Sequence, residues 1–210
     1  RERSGMGQHV DISMLDCQIS MLNYMATMHF LSGDDPYPIG NSHFVHVPYD
    51  TFTCSDGFIV IAIITDNFWQ NLKKVVYSPA FDDLKYDSQP GRWEDREMIN
   101  STLNALLSVN TCQYWLALLE EKRIPCAPVN SLSQALSDNQ VLHRNMVVDL
   151  HHPNGRSTKG PGNPIKLSRN DEEIFTPAPT LGQHTDEVMT QLLGLSAEKI
   201  TQMKEMGIIR

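Results

Sequence analysis

Three histidine groupings in this 210-residue chain have spacings that could do chemistry. His43 and His46 sit three apart, a spacing that can hold a metal, but no cysteine or acidic ligand stands nearby at a recognised spacing. On an extended segment their side chains need not converge. His151-His152 is weaker, because adjacent residues on a strand point to opposite faces. His184, between Gln183 and Thr185 at an expected helix start, has a plainer use in a side-chain hydrogen bond to backbone. No metal ligands are assigned. The chain holds no G-x-S-x-G elbow and no reactive-cysteine signature, so a serine or cysteine nucleophile is unsupported. It also lacks G-x-G-x-x-G and the P-loop; Gly160-Pro161-Gly162 has the wrong spacing and follows no strand–helix unit. The carboxylates of Glu94, Asp95, Glu97 and Glu120-Glu121 fall on charged helical faces, where solvation accounts for them. One loop stands out, Gly40-Asn41-Ser42-His43. A glycine followed by short polar groups lets backbone N–H groups approach a carbonyl or carboxylate oxygen, although an ordinary linker turn explains the same residues.

The elements that would position this loop are read from hydrophobic spacing. Residues 11–31 place Ile12, Leu15, Ile19, Leu22 and Ala26 on one helical stripe and Met14, Met21, Met25 and Met28 on a second. A helix apolar on two sides belongs between other elements or in a subunit interface. Residues 33–48, with Pro36, Pro38, Gly40 and Pro48, break it and form an irregular linker. Strands are expected at 49–54 and 58–64, joined through Ser55-Asp56-Gly57, where glycine would supply the positive φ of a tight hairpin turn. Residues 59–64 do not alternate with polar ones, so this strand should be buried on both faces. Helical patterns follow at 66–76, 93–107 and 111–122, then a short strand at 125–130. Ser131 and Gln134 form a capping box for the next helix. Two apolar stretches, 146–150 and 164–167, are separated by Pro153-Asn154-Gly155 and Gly160-Pro161-Gly162. Thr185 should cap a late helix that Gly194 stops, and Ser196 should cap one more, to Met206.

Composition narrows the class. The net charge is −8 with no basic stripe, which excludes a nucleic-acid partner. The longest apolar run is seven residues, 58–64, against the ~20 of a membrane helix. Cys17, Cys54, Cys112 and Cys126 show no C-x-x-C pairing and read as reduced, buried thiols of a cytoplasmic protein. The chain starts Arg1-Glu2-Arg3 without an initiator Met, so it is expected to be processed or to be the C-terminal piece of a longer chain.

Arg1-Glu2-Arg3-Ser4-Gly5-Met6-Gly7-Gln8-His9-Val10-Asp11-Ile12-Ser13-Met14-Leu15-Asp16 resembles the "RxxTGxGQxVDxSxxD" passage of the type III CoA-transferases, the CaiB–BaiF family. Later passages agree in order: Gly40-Asn41-Ser42-His43 with Pro48-Tyr49-Asp50-Thr51-Phe52, then Cys54-Ser55-Asp56-Gly57, then Ile124-Pro125-Cys126-Ala127-Pro128-Val129-Asn130. Asp138-Asn139-Gln140-Val141 with Arg144, and Pro177-Ala178-Pro179-Thr180-Leu181-Gly182-Gln183-His184-Thr185, continue the pattern.

The resemblance implies coenzyme A transfer between carboxylic acids through an aspartate nucleophile, with acyl-CoA as substrate and no permanently bound cofactor. A relative that racemises 2-methylacyl-CoA thioesters is the alternative, and a non-catalytic interaction fragment is a second. The family's aspartate lies upstream of its "GxGQ" passage, so none of these residues is assigned as catalytic, and Asp11 and Asp16 do not fill the role. The isolated chain is expected to be inactive. Gly40, Asn41, Ser42 and His43 match the loop that covers the substrate. Formyl-CoA transferases carry glycines there, so the departure from poly-glycine implies a larger acyl group. The implied fold is α/β, and this chain is mainly a small α+β domain with a helical N-terminal arm and a C-terminal segment returning to a Rossmann-like large domain. Residues 1–32 would end the N-terminal half of the large domain, 33–48 form the linker, 49–130 the small domain and 131–210 the returning segment. The resemblance also implies an interlocked homodimer, and the acidic charge and short apolar runs leave no nucleic-acid or membrane partner expected.

Overall fold

The computed structural model describes residues 1–152, 154–169 and 174–209, in two compact units, Arg1–Val129 and Asn130–Arg210. Pro153, in the expected turn 153–155, lies outside the described residues.

The first unit begins with α1 (Met14–Met21), capped by the Ser13 side chain accepting from the Asp16 N–H, and α2 (Tyr24–Ser32). The single helix expected over residues 11–31 is therefore broken, at Asn23 with φ 47° and ψ −119°. The cause lies in packing: neither helix has a buried residue, and Ile12, Met14 and Leu15 are 73%, 87% and 69% exposed. Short helices without a tertiary partner are marginal, so a local break costs little. Gly33, at φ +76°, ends α2 with its N–H on the His29 carbonyl.

After the linker, β1 (Tyr49–Thr53) pairs antiparallel with β2 (Phe58–Ala62). The connecting loop closes with the Cys54 N–H on the Gly57 carbonyl at 2.8 Å. Gly57 has no positive φ here; a Cβ on it would stand 3.2 Å from Cys112 Sγ, so close approach is its requirement. Ile59 and Ile61 are fully buried while Val60 and Ala62 are half-buried and Ile64 is 47% exposed. The expectation of a strand buried on both faces is thus corrected: one face meets the core and the other is only partly covered.

α3 (Asp66–Val75) is capped by Thr65, whose hydroxyl accepts from the Phe68 N–H. The pattern at 93–107 resolves into α4 (Gln89–Glu94) and α5 (Arg96–Leu107), parted at Asp95, which leaves helical geometry at φ −112°, ψ 27°. α6 (Cys112–Glu121) is capped by Thr111, and β3 (Cys126–Pro128) adds antiparallel to β2, giving the order β1-β2-β3. Phe52, Ile59, Ile61, Trp69, Leu72, Ile99, Leu103, Leu107 and Leu119 are fully buried between this sheet and the helices. Each contributes about 1.5–3 kcal/mol by leaving water.

Arg92, 0% exposed, ties the unit together. Its Nε donates to the Val47 carbonyl at 2.7 Å, Nη1 to the Tyr86 carbonyl at 2.8 Å, and Nη2 to Asp66 Oδ1 at 2.8 Å and Gln89 Oε1 at 2.9 Å. One side chain thereby holds the end of the linker, the start of α3 and the turn before α4.

The second unit opens with α7 (Leu132–Ser137), where the Ser131–Gln134 capping box forms with both bonds present. In α8 (Asn139–His143) the Asp138 carboxylate accepts from the N–H groups of Gln140 and Val141. β4 (Val147–His151) pairs antiparallel with β5 (Ser157–Pro161). The apolar stretch 164–167 forms no strand, and Ile165 and Leu167 stay exposed. The partner strand instead includes Gly160 and Pro161, where a Cβ on Gly160 would lie 3.0 Å from Leu150 Cδ1. α9 (Thr185–Gln191) has His184 at its N-cap, without a side-chain cap bond, so Thr185 is its first residue and not its cap. Gly194, at φ +64°, follows it, and Ser196 caps α10 (Ala197–Glu205) by accepting from the Lys199 N–H. Among the described residues no helix is long and apolar enough to cross a membrane.

Candidate functional site

The linker residues 37–47 do not hang free; they lie against β1 and the α4–α5 corner around a cavity of about 300 Å³. Its walls include Tyr37, Ile39, Ser42, His43 and His46 from the linker, Tyr49 from β1, and Trp93, Arg96 and Asn100 from the helices. Three anchors set the linker's course. Arg92 holds the Val47 carbonyl, Gln89 Nε2 donates to the Val45 carbonyl, and the His43 N–H donates to the Tyr49 carbonyl at 2.9 Å.

Of the four loop residues singled out in the sequence, Ser42 and His43 line the cavity and Gly40 and Asn41 do not. Gly40 has φ +65° and Asn41 is exposed, so these two turn the chain at the cavity's edge. The Ser42 hydroxyl donates to Asp50 Oδ2, which also accepts from Asn100 Nδ2 at 3.4 Å, while Asp50 Oδ1 accepts from the Thr51 N–H at 2.7 Å. A β1 carboxylate therefore pins the loop.

His43 is fixed on every side. Its Nδ1 accepts from the Val45 and His46 N–H groups at 3.0 and 3.1 Å, and its ring stacks on Tyr49 at 5.0 Å and on Phe44 at 4.4 Å. An Nδ1 that accepts two N–H bonds carries no proton, so the neutral ring has its hydrogen on Nε2. Burial first, and the charge of His46 second, hold the His43 pKa below its ordinary 6.5, consistent with a neutral imidazole. The His43 and His46 rings do converge, with centroids 4.8 Å apart. Among the described residues, however, no group of three or more His, Cys, Asp or Glu side chains comes together as a metal site would require.

Two buried side-chain atoms in this wall have no hydrogen-bond partner, His46 Nδ1 and Asn100 Oδ1. Buried polar atoms are rarely left so, because each costs about 1–3 kcal/mol when unsatisfied. Arg96 adds a cation: its Nη2 donates to the Tyr37 hydroxyl at 3.1 Å and its guanidinium lies 5.0 Å from the Trp93 ring centre. Next to this polar cavity is an apolar groove of about 360 Å³, bounded by Met25, Met28 and Phe44 and sharing Tyr37, Ile39 and Trp93 with it.

Asp50, Arg96 and Asn100 were not singled out by sequence reasoning. Asp50 stood in the Pro48-Tyr49-Asp50 passage already noted, whereas Arg96 and Asn100 carry no local signal; only the packing of α5 against β1 brings them to the linker.

The other histidine candidates belong to the second unit. His184 Nδ1 is 3.1 Å from Glu187 Oε2, a side-chain partner in place of the expected backbone one. His151 Nδ1 is 2.9 Å from Ser157 Oγ on an exposed strand. The expectation that all four thiols are buried is corrected by Cys17, which is exposed. Cys112 caps a different corner, its N–H on Asp56 Oδ1 at 2.7 Å, and burial, then hydrogen bonds to Asp56 and Cys54, push its thiol up to about 12.

Comparison with known proteins places this arrangement. The chain is 29% identical over 210 residues to succinyl-CoA:glutarate CoA-transferase of Mus musculus, covering 100% of this chain and 48% of that protein. It is 29% identical over 195 residues to succinate–glutarate CoA-transferase of Agrobacterium fabrum, covering 90% of this chain and 48% of the relative. A CaiB/BaiF family protein from Brucella suis superposes with a TM-score of 0.77 at 27% identity, over 91% of this chain and 50% of that one. The chain spans about half the length of the curated relatives it matches. The profile of CoA-transferase family III matches residues 1–185, and the chain belongs to that family.

Proposed function

We propose that this chain forms the acid-covering part of an enzyme that moves coenzyme A from an acyl-CoA to a carboxylic acid. The nucleophile is an aspartate in a segment preceding Arg1, and Asp11 and Asp16 do not replace it. Its carboxylate attacks the thioester carbonyl and expels CoA thiolate, giving a mixed anhydride. The thiolate then attacks the aspartyl carbonyl, which frees the donor acid and leaves CoA on the aspartate as a thioester. The acceptor carboxylate enters by the reverse of these two steps, so every bond broken is matched by one formed.

An anhydride survives only where water is kept out. In this reading Gly40, Asn41, Ser42 and His43 cover it, with Ser42 pinned by Asp50 and neutral His43 held by backbone N–H groups. The observation that carries the proposal is the cavity beneath this loop, with Arg96, Tyr37 and Tyr49 in its wall. Ser42 and His43 stand where formyl-CoA transferases carry glycines, which supports an acyl group other than formyl. Exposed Met14, Leu15 and Ile19 on α1 suit packing against the rest of the protein or a second copy, as in an interlocked dimer. The acidic charge and free cysteines fit a cytoplasmic enzyme that binds neither nucleic acid nor membrane.

The test uses an acyl-CoA and a carbon-14-labelled carboxylic acid. The chain alone should make no labelled thioester, and the chain combined with the family's complementary half should make it. Label transfer by the chain alone, or none by the combined protein, refutes the reading.

A further inference from the structure

We infer that His43 is a catalytic residue: its Nε2–H, fixed in place by the loop's own backbone, donates to the carbonyl oxygen of the acyl group as the aspartate attacks. The inference rests on the CoA-transfer reading and assigns that reaction a hydrogen-bond donor from this chain.

The two ring nitrogens have different tasks. Nδ1 accepts from the Val45 and His46 N–H groups at 3.0 and 3.1 Å, so it carries no hydrogen and Nε2 carries one. Among the described residues Nε2 has no hydrogen-bond partner, and it is not sealed off as the buried, unpartnered His46 Nδ1 and Asn100 Oδ1 are. Its N–H is therefore open, on a residue that lines the cavity. Burial first, and His46 second, hold the ring's pKa below 6.5, in keeping with a neutral donor.

The donor is also rigid. The His43 N–H bonds the Tyr49 carbonyl at 2.9 Å, and the ring stacks on Phe44 and Tyr49 with interplanar angles of 21° and 16°. A donor held this firmly needs no reorganisation when charge develops, the condition under which such groups help most. Neighbouring polar groups are committed elsewhere. The Ser42 hydroxyl and Asn100 Nδ2 donate to Asp50, and Arg96 Nη2 donates to the Tyr37 hydroxyl.

The chemistry favours a neutral imidazole here. As the aspartate oxygen bonds to the acyl carbon, the carbonyl π pair moves onto oxygen; when it returns, the C–S pair leaves with CoA thiolate. The Nε2–H bond to that oxygen strengthens as its charge grows and weakens as the carbonyl re-forms, and the hydrogen stays on Nε2 throughout. Only the transition state gains, which is what raises a rate. An imidazolium would also grip the free carboxylates of both acids, stabilising the ground state as well. Protonation would put a hydrogen on Nδ1 and break its bonds from Val45 and His46.

Three measurements test the assignment. Nitrogen-15 spectra of the chain at neutral pH should place the His43 ring hydrogen on Nε2. The chain combined with the family's complementary half is then compared with its His43→Phe variant, which keeps a flat ring and lacks the donor. His43→Phe should lower kcat roughly a hundredfold or more with KM little changed, and His43→Gln, whose amide also donates, should restore part of it. A carbonyl-labelled carbadethia acyl-CoA, a ketone with CH2 in place of sulfur and so inert to transfer, reads the hydrogen bond by infrared. Its C=O stretch should drop on binding to the parent protein and stay near the free value in His43→Phe. Unchanged shift dispersion in the variant chains establishes that they fold. A hydrogen on Nδ1, an unaltered kcat in His43→Phe, or the same C=O stretch in both proteins would each overturn the inference. No transfer by the parent protein would refute the transfer reading instead, and the ketone's stretch would still report whether His43 donates.

Discussion

Replacing Arg92 tests whether a single buried guanidinium holds the linker against the helical corner. In Arg92→Leu the carbonyls of Val47 and Tyr86 lose their donors inside the protein, at positions where Arg92 now reaches them at 2.7 and 2.8 Å. Each buried unsatisfied acceptor costs about 1–3 kcal/mol. The bond to Asp66 counts for less, because that carboxylate is 57% exposed and water replaces the arginine. The sum is about 3–5 kcal/mol, against about 5–15 kcal/mol for a whole domain. Arg92→Lys keeps the charge but not the fork, and should lose about half as much. Urea unfolding followed by tryptophan fluorescence is the assay, since Trp69, Trp93 and Trp115 are the chain's three tryptophans and all stand in the first unit. The midpoint should fall while the slope with urea is kept, and amide exchange at residues 43–47 should quicken before global unfolding. A loss below about 1 kcal/mol for Arg92→Leu, or unchanged exchange in the linker, would refute the account.

Three other outcomes are expected. Gly91→Ala places a Cβ 2.0 Å from the Lys85 carbonyl oxygen, so urea unfolding should show a loss of about 3 kcal/mol or failure to fold; a near-neutral result contradicts the packing of α4. The His43 ring should titrate below 6.5 by NMR and move upward when His46→Gln removes the second cause. Because the folded ring resists protonation, its contribution to stability is intact above 6.5 and is lost as pH falls from there to the lowered folded value, so stability measured from pH 7.5 downward should decline across that window. Finally, iodoacetamide at neutral pH should alkylate exposed Cys17 well before Cys112, whose thiol is pushed up to about 12; mass spectrometry reads the order, and early labelling of Cys112 contradicts it.

Local rules read much of the fold. Ser131 and Ser196 act as the expected caps and their bonds form, whereas Thr185, expected to cap, is the first residue of its helix, and Thr65 and Thr111 are caps that spacing alone did not single out. The hairpin was legible from Asp56-Gly57, but the reason for its glycine was not: the neighbour that forbids a Cβ, Cys112, comes from another element. The same limit governs the helix at 11–31. Periodicity reports an apolar stripe and is silent on whether anything covers it, and the break at Asn23 follows from the exposed faces. At the site, the Gly40–His43 passage pointed to the loop, and half of it lines the cavity. Arg96 and Asn100 complete the wall and Asp50 pins Ser42 through tertiary packing, which no spacing along the chain records.

The central claim is CoA transfer to a carboxylic acid, and a single incubation in deuterated water tests it most directly. The chain combined with the family's complementary half is given a 2-methylacyl-CoA and a carbon-14-labelled dicarboxylic acid. The account predicts label in the thioester fraction and protium retained at the donor's Cα. Deuterium at Cα with no label in any thioester would contradict it and assign the cavity to racemisation.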